Sequence, residues 1–360
     1  MRILHVLNHV QDIGNGIVNA AIDLACSQAQ AGFEVAIASS GGEYESLMKQ
    51  YQIRHFTIAN PQSPLDVLKI TQKFREITQV FSPDVIHTHM MTGVILAKLL
   101  RGNLSYVLVS TVHNEWQSHA VLMGIADRVI AVSRSVARSM QHRGIPIRKL
   151  HVVANGTIGT PRHPPIDRVK PLPLQHPAIT TVAGLYHRKG INDLIEAFVQ
   201  IADEHPTAHL YLVGNGPHRA AFERQAKDSP HRSRIHFEGF QTEPQRYLMS
   251  TDVFVLASRQ EPFGLALSEA REAGCAIVAS DVDGIPEVLD GGKAGQLVPA
   301  GDIKALSEAL SRLLKCREDL EAWKIRARTN IDWLRVERVH QETLGVYQAA
   351  IAEMNRTVCA

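Results

Sequence analysis

The chain has 360 residues, of which 45% are hydrophobic and 21% are charged, and its formal net charge is +2. This composition is typical of a globular protein, and the length exceeds what one ordinary core organises, so we expect two domains. The small net charge gives no electrostatic argument for a nucleic-acid partner, which usually binds a concentrated basic face. We find no run of about 18 apolar residues that would span a bilayer. The first residues, MRILHVLNHV, predict a strand rather than a signal peptide.

The cysteines are scattered and form no CxxC pair. This pattern argues against a zinc site and against a disulfide framework, and it suits a reducing compartment. We therefore expect a cytoplasmic protein without a structural metal. The cysteines in question are Cys26, Cys275, Cys316 and Cys359.

Short apolar runs alternate with helical patterns through the first part of the chain. A strand at 2–8 leads into a helix at about 16–31, whose apolar residues recur at helical spacing. A stretch with five prolines between Gly156 and Pro177 then breaks the pattern, and we interpret it as a linker. The remaining strands predicted before this linker, all of the buried parallel type, are at 34–39, 84–89, 106–113 and 128–133.

The alternation restarts after the linker and gives the predicted fold. It indicates an α/β protein with two Rossmann-like, doubly wound domains, whose ligands bind beyond the carboxyl ends of the strands in a cleft between the domains. We place the first domain at 1–160, the linker at 161–177 and the second domain at 178–337, and we expect the last helix (338–360) to return to the first domain. The strands predicted here are at 178–184, 209–214, 234–239, 252–258 and 275–280, with helices at about 190–204, 264–273, 302–316 and 333–356.

Two glutamates lie near the start of one predicted helix, in the stretch EPFGLALSEA (261–270). Gly264 permits a sharp turn between a strand and this helix, and free N–H groups at a helix start favour a phosphate. Glu269 would lie early in the helix, where a carboxylate suits the paired hydroxyls of a ribose. Glu261, before the turn, would suit a second sugar. The alternative interpretation is an exposed helix on which the two acids occur together by chance.

This stretch resembles the Glu-x7-Glu motif of retaining GT-B glycosyltransferases, in particular the large family 4 group. Further segments resemble family motifs and occur in the family's order, from residue 2 to about 350. They are DVIHTH (84–89), STVHNEW (110–116), ANGTI (154–158), HRKGINDLIEAF (187–198), LVGNGP (212–217) and DVDGIPEVL (281–289).

The resemblance implies a role for each candidate site residue. Lys189, with Arg188 as a helper, is expected at the donor diphosphate, and Glu269 at the nucleotide ribose. Glu261 is expected to hold the donor sugar, and His113 to lie beside the transferred sugar. Backbone groups are expected to approach the donor at the remaining positions, Gly16, Phe263, Gly264 and Leu265.

The sequence departs from the family pattern in three places. Asn15-Gly16 replaces the paired glycines that often precede the first helix. Leu185 stands where an arginine often follows the strand at 178–184. Asp283 replaces a common glycine and creates Asp-Val-Asp, which resembles the metal motif of the GT-A glycosyltransferases, but we expect no metal because GT-B enzymes do not need one for the leaving group.

Histidines and a basic run complete the candidate features. Because His87 and His89 alternate along a predicted strand, we expect them on opposite sides of the sheet, and their spacing does not indicate metal ligands. His5 belongs to no motif. The basic run at 134–150 predicts an exposed helix and loop, and a second interpretation is a surface that meets anionic lipid at the inner face of the membrane.

The sequence as a whole predicts a cytoplasmic, metal-independent, retaining hexosyltransferase without a cofactor. Its partners would be a nucleotide diphosphate sugar (UDP- or GDP-linked) and a carbohydrate or lipid-linked acceptor. Two alternatives stay open: a nucleotide-sugar 2-epimerase on the same fold, because a fold does not fix chemistry, and a catalytically silent nucleotide-sugar-binding partner subunit. A dinucleotide oxidoreductase is disfavoured because no GxGxxG follows the first strand.

Overall fold

A computed structural model describes residues 1–59 and 64–358, so that Cys359 lies outside the described residues. The described chain divides into two compact units. The first contains residues 1–162 together with the C-terminal segment from Leu334, and the second contains residues 163–333. The predicted linker at 161–177 therefore belongs to the second unit, apart from its first two residues.

The strands are short, and most of their residues are buried. In chain order they are β1 (Arg2–Val6), β2 (Glu34–Ser39), β3 (Arg54–Thr57), β4 (Val85–Thr88), β5 (Val107–Val112), β6 (Arg128–Ala131), β7 (Leu150–Val152), β8 (Ala178–Val182), β9 (His209–Val213), β10 (Ile235–Gly239), β11 (Val253–Leu256), β12 (Ala276–Ser280) and β13 (Gln296–Val298).

The helices alternate with these strands along most of the chain. They are α1 (Gly16–Gln30), α2 (Glu45–Gln50), α3 (Pro64–Phe81), α4 (Met91–Leu99), α5 (Arg134–His142), α6 (Ile191–Ile201), α7 (Arg219–Lys227), α8 (Gln245–Leu248), α9 (Leu265–Ala273), α10 (Ile285–Val288), α11 (Ile303–Lys315), α12 (Arg317–Ala327) and α13 (Val336–Val358).

Each unit contains one parallel sheet with the same winding. The first sheet has the order β3-β2-β1-β4-β5-β6-β7 and the second β10-β9-β8-β11-β12-β13. In both, the chain adds strands on one side and then returns to the other side of its starting strand. The point of reversal lies between β1 and β4 in the first sheet and between β8 and β11 in the second, and ligands of such sheets bind beyond the strand ends at this point.

The predicted fold class, two Rossmann-like doubly wound α/β domains, is confirmed. Each predicted strand is present, and the structure adds β3, β7 and β13, which the sequence analysis missed. These three are edge strands with partly exposed residues, so they lack the continuous apolar run that marks a buried parallel strand. Among the described helices, none combines the length and the apolar character that crossing a membrane requires.

The last helix, α13, packs against the sheet of the first unit. Its buried residues Val346, Tyr347 and Ala350 join the core formed by strand residues such as Ile3 and Val107. The amphipathic pattern read from the sequence thus provides one face of this unit's core. Tyr347 is fully buried, and its hydroxyl is part of a polar network described below.

Arg271 of α9 is a fully buried cation in the second unit. Its guanidinium donates to the backbone oxygens of Ala327 (2.8 Å) and Val288 (2.5 Å) and pairs with the Asp290 carboxylate at 3.2 Å. These bonds connect α9, which follows the candidate glutamate motif, to α10 and to the end of α12.

We expect Arg271→Met to lower the free energy of unfolding by about 3–5 kcal/mol, because it leaves buried carbonyl groups and a carboxylate without their donor. Urea denaturation monitored by circular dichroism measures this difference. The control is Arg317→Met at an exposed position, which should change stability by less than about 0.5 kcal/mol. Equal stability of the two variants would contradict a structural role for the buried guanidinium.

Candidate functional site

Lys189 lies where β8 connects to α6, beside the reversal point of the second sheet. It ends a short turn, and Gly190 follows with a left-handed backbone, at φ 63°. A Cβ atom on Gly190 would come within 1.9 Å of the Ala257 carbonyl oxygen, so only glycine fits here. The Lys-Gly pair of the motif thus has a steric basis, because the glycine lets the lysine loop pack closely against the chain that leaves β11.

Glu261 lies on that neighbouring connection, between β11 and α9, and forms an ion pair with Lys189. The side chains of Lys189 and Glu261 are only 15% and 8% exposed. The Ser258 hydroxyl donates to the same carboxylate oxygen, Oε2, at 3.3 Å. Because β8 and β11 are adjacent strands, their carboxyl ends bring the two charges together. Removing either one would leave its partner charged and largely desolvated.

The loop after Glu261 leads directly into α9. Gly264 caps the helix with a left-handed backbone (φ 92°), and Leu265 is the first helical residue. Phe263 is 2% exposed and anchors the loop in the interior. Glu269 lies one turn into α9 and is partly exposed. The sequence prediction for this local geometry, a glycine turn followed by a helix with its second glutamate in the first turns, agrees with the structure.

Asp283 holds the Glu261 loop from a third connection, the one after β12. Its carboxylate accepts a hydrogen bond from the backbone N–H of Glu261 at 2.8 Å, and the Gly284 N–H donates to the Glu261 carbonyl at 3.0 Å. Asp283 has a left-handed backbone (φ 48°), which explains why glycine is common at this position in the family. The sequence analysis noticed the substitution but missed this contact.

The cations near Lys189 differ from the usual family pattern. Leu185 is fully buried and packs in the core of the second unit, so its position provides no charge to the loop. Arg188 lies over the ring of Tyr186, with 5.2 Å between the guanidinium carbon and the ring centroid. Arg259 makes two hydrogen bonds to the buried Asp193 carboxylate, at 2.8 and 2.9 Å, which fixes it as a structural partner of α6.

The first unit carries the other candidate residues at the corresponding edge of its sheet. Gly16 is the first residue of α1, and the side chain of Asn15 caps that helix by accepting from the Ile17 N–H at 3.0 Å. The asparagine of Asn15-Gly16 therefore has a capping role of its own. His113 follows β5 directly and is partly exposed.

Four histidines of the first unit form a connected cluster, which the sequence analysis did not anticipate. The prediction that His87 and His89 face opposite sides of the sheet is wrong: their ring centroids are 4.3 Å apart. Residues two positions apart in a strand lie on the same face of the sheet, so the alternation itself brings His87 and His89 together, and the expectation misapplied it. His5 lies opposite His87 in the β1–β4 register, and His89 contacts both His5 and His113.

Burial keeps this cluster neutral. Desolvation lowers the pKa of His5 and of His113 to about 4. It also lowers the pKa of His87 and of His89 well below the usual value, and the neighbouring imidazoles contribute in the same direction. At neutral pH these rings are therefore hydrogen-bonding groups rather than cations.

The basic run at 134–150 forms α5 and the following loop in the first unit. Val136 and Met140 face the core, whereas Arg138 and Arg148 are exposed. Ile147 is 66% exposed beside these charges. The predicted exposed helix is confirmed, and a basic surface with one apolar side chain is present.

The two roles of Asp283 are separable by substitution. Asp283→Gly removes the hydrogen bond to Glu261 without backbone strain, and we expect it to cost about 1 kcal/mol of stability. Asp283→Ala also keeps a side chain at positive φ, which costs about 1 kcal/mol more. Asp283→Asn retains an acceptor and tolerates this conformation, so it should remain close to the original protein.

Urea denaturation provides this ranking, and the control is Asp281→Ala, an exposed residue of the same Asp-Val-Asp segment. That variant should stay within about 0.5 kcal/mol of the original protein. Identical stability of Asp283→Ala and Asp281→Ala would show that the contact to Glu261 contributes nothing.

Comparison with known proteins assigns both parts of the chain. A family model described as glycosyl transferases group 1 matches residues 164–330, and one described as Glycosyltransferase Family 4 matches residues 14–157. The N-acetyl-alpha-D-glucosaminyl L-malate synthase of Bacillus anthracis is 26% identical over 361 residues, which cover 93% of this chain and 93% of that protein. The lipopolysaccharide core biosynthesis mannosyltransferase LpsB of Rhizobium meliloti is 30% identical over 254 residues, 66% of this chain and 69% of that protein.

A solved structure gives the same fold. The crystal structure of Anabaena Alr3699/HepE in complex with UDP and glucose matches with a TM-score of 0.83 at 18% identity, covering 97% of this chain and 100% of that chain. The chain has two Rossmann-like sheets and matches this solved structure over almost its whole length, so its fold is GT-B. The family models and the 30% identical relative show that the chain belongs to glycosyltransferase family 4 and is a GT-B glycosyltransferase.

Proposed function

We propose that this glycosyltransferase moves a hexose, with retention of configuration and without a metal, from a UDP- or GDP-linked sugar to an acceptor hydroxyl. The observation that carries the proposal is the Lys189–Glu261 ion pair at the reversal point of the second sheet, next to the glycine-capped start of α9. One cation, one carboxylate and a helix N-terminus within one pair of loops suit a diphosphate attached to a sugar.

Lys189 would stabilise the leaving nucleoside diphosphate. An ammonium group has three N–H donors, so it can remain bound to Glu261 and still donate to a phosphate oxygen. Negative charge grows on that oxygen as the glycosidic bond breaks, and a cation already fixed by its partner need not reorganise. The N–H groups at the start of α9, beginning with Leu265, would add to this stabilisation, with Arg188 as a further cation.

Glu261 and Glu269 would bind different parts of the donor. Lys189 and Ser258 both contact Oε2 of the Glu261 carboxylate, so Oε1 would accept from a hydroxyl of the transferred sugar. Glu269, one turn into the helix, would accept from the ribose hydroxyls of the nucleotide. Phe263 and Gly264 would bring the backbone close to the donor.

The metal-independent chemistry follows from the same groups. The Asp283 carboxylate, the member of Asp-Val-Asp nearest the site, accepts from the Glu261 backbone and is thereby oriented toward the loop. Among the described residues we assign no carboxylate as a covalent nucleophile, so the proposed route is on the front face. The leaving phosphate oxygen takes the acceptor's proton while the sugar passes through an oxocarbenium-like state, and water must be excluded to avoid hydrolysis.

Related proteins support the proposed substrate classes. One relative is named as a mannosyltransferase of lipopolysaccharide core biosynthesis, and a structural neighbour was crystallised with UDP and glucose. We infer a carbohydrate or lipid-linked acceptor in cell-envelope polysaccharide, glycolipid or oligosaccharide synthesis. The exposed basic face of α5, with Arg138 and the neighbouring Arg148, would contact anionic lipid at the cytoplasmic side of a membrane.

Two other functions remain as outcomes of the test. A 2-epimerase would convert its donor without an acceptor. A silent binding subunit would bind the donor and not consume it, and the absence of a cation at Leu185 is the feature that favours it.

The deciding experiment is a transfer assay in EDTA with a panel of UDP- and GDP-sugars, with and without saccharide and lipid-linked acceptors. We expect acceptor-dependent release of the nucleoside diphosphate. Lys189→Ala should reduce turnover by about 10²–10³-fold, as loss of one fixed oxyanion donor does. The control, Lys304→Ala, changes a lysine whose side chain is 84% exposed and should leave turnover unchanged. Full activity of Lys189→Ala would remove the basis of the proposal, and activity that requires added manganese or magnesium would refute metal independence.

The roles of the two glutamates are separable by calorimetry. Glu269→Gln should weaken binding of both the free nucleoside diphosphate and the intact donor, because each lost charge-assisted hydrogen bond costs about 1.5–3 kcal/mol. Glu261→Gln keeps an oxygen acceptor for the Lys189 ammonium, so it should weaken nucleoside diphosphate binding less than Glu269→Gln does, and it should lower turnover. The exposed Glu308→Gln serves as the control. Equal losses of diphosphate affinity in both variants would contradict this division of roles.

A further inference from the structure

The histidine cluster of the first unit is part of one continuous hydrogen-bonded chain of side chains. His113 Nε2 is 3.1 Å from His89 Nδ1, and His89 Nε2 is 3.0 Å from His5 Nδ1. His5 Nε2 is 2.7 Å from Gln28 Oε1, and the Gln28 amide nitrogen is 3.3 Å from the Tyr347 hydroxyl. The Tyr347 oxygen is also 2.6 Å from Nδ1 of His87, which is bound at its other nitrogen to Thr111.

A neutral imidazole has one N–H donor and one acceptor nitrogen. Along such a chain, the direction of one hydrogen bond therefore fixes the direction of the others. Two complete arrangements exist, related by reversing every donor and acceptor. In one of them the proton of His113 is on Nε2, and in the other it is on Nδ1.

The distances at Tyr347 select between the two arrangements. The Gln28 amide has its oxygen 2.7 Å from His5 Nε2 and its nitrogen 3.3 Å from the Tyr347 oxygen, so the amide N–H donates to the phenol. The phenol O–H can then donate to His87 Nδ1 at 2.6 Å, whereas the reverse would make the phenol donate across 3.3 Å, which exceeds the usual O–H···O length by more than it exceeds the N–H···O length. Burial raises the pKa of Tyr347, so the phenol keeps the proton that it donates.

The direction of the hydrogen bond at Tyr347 fixes the direction of each following hydrogen bond as far as His113. Because the Gln28 amide donates to Tyr347, its oxygen faces His5 and accepts from Nε2–H. His5 Nδ1 then accepts from His89, whose Nδ1 in turn accepts from His113. We propose that Gln28, through His5 and His89, holds His113 in the tautomer with the proton on Nε2, so that Nδ1 presents its lone pair to a sugar hydroxyl at the carboxyl edge of the first sheet.

A metal site is the competing interpretation of the same residues. His5, His87 and His89 each offer a ring nitrogen, and these atoms lie within 4.8 Å of one another. However, both nitrogens of each ring already have a hydrogen-bond partner among the described residues. A metal ion would have to break several of these contacts, whereas in the neutral network each nitrogen of these three rings keeps its partner.

His113 is the histidine through which the network can contact a ligand. His5, His87 and His89 are 4% exposed or less, whereas His113 is partly exposed and sits at the carboxyl end of β5. The second half of the proposal, an acceptor nitrogen for a sugar hydroxyl, rests on the proposed function. Gln28, His5 and His89 are then positioning residues, which act on the substrate only through His113.

The test of the tautomer is nitrogen-15 NMR of the histidine side chains in the full-length, labelled protein without any donor. Long-range proton–nitrogen correlations distinguish a protonated from an unprotonated ring nitrogen. We expect His113 to be protonated on Nε2 alone. Protonation on Nδ1, or a rapidly exchanging mixture, would overturn the proposal whether or not the protein transfers sugars.

Two substitutions interrupt the chain at different points. His89→Phe keeps an aromatic ring and removes both nitrogens, and Gln28→Met keeps a side chain of similar length without hydrogen bonds. Both should convert His113 to a mixture of tautomers. The control is His236→Phe, which removes one partner of a comparable His209–His236 hydrogen bond (2.9 Å) in the second unit. A folded variant in which His113 retains a single Nε2–H tautomer would refute the proposed control of His113 by Gln28, His5 and His89. A stoichiometric zinc ion bound by His5, His87 and His89 would also refute it.

Kinetics then test the role toward the sugar. With the donor identified in the transfer assay, His89→Phe and Gln28→Met should lower kcat by about 10–100-fold, the usual range for partners that orient a functional histidine. Affinity for the free nucleoside diphosphate should not change, because that ligand lacks the sugar. An unchanged kcat in a variant that has lost the tautomer would refute the contact between His113 and the sugar.

Discussion

The Lys189–Glu261 ion pair is the interaction on which the candidate donor site depends. Both side chains are largely removed from water, so neither is stable without the other, and the loops that carry them are held at a fixed separation. Two further contacts keep the pair in place: the steric fit of Gly190 against Ala257, and the hydrogen bond from the Glu261 backbone to Asp283. Three successive connections of the sheet are thus coupled at one charged centre, which is the preorganisation that a developing phosphate charge requires.

The first unit has the same winding of its sheet, but different residues lie at its reversal point. At its reversal point the inward residues of β1 and β4 are the histidines His5 and His87, where the second unit has charged loops beyond its strands. Desolvation makes these rings neutral, so they direct hydrogen bonds rather than supply charge. At its reversal point the second unit has a fixed ion pair, whereas the first unit has neutral hydrogen-bonding rings.

The hydrogen-bonded side chains between Tyr347 and His113 also give the C-terminal helix, α13, a role beyond packing. Tyr347 of α13 and Gln28 of α1 meet below the sheet, and the hydrogen bond between them sets the polarity of the whole chain of side chains. A helix that ends the sequence is thereby linked to a residue that follows β5. Such buried polar networks are costly unless every member is satisfied, and here both ring nitrogens of His5, His87 and His89 have a partner.

The sequence by itself determined the fold class, the buried strands and the Glu261–Glu269 helix start, because hydrophobic periodicity and glycine punctuation are local signals. It also marked Lys189, although the adjacency of β8 and β11, and hence the ion pair, arises only when the sheet forms. Edge strands such as β7 were missed because partial exposure removes their apolar pattern. The network of histidines could not be read from the sequence, since Gln28 and Tyr347 are 319 positions apart and His5 and His89 are 84 positions apart. Only tertiary structure brings these residues together, because hydrogen-bond direction depends on distances between elements that no local pattern records.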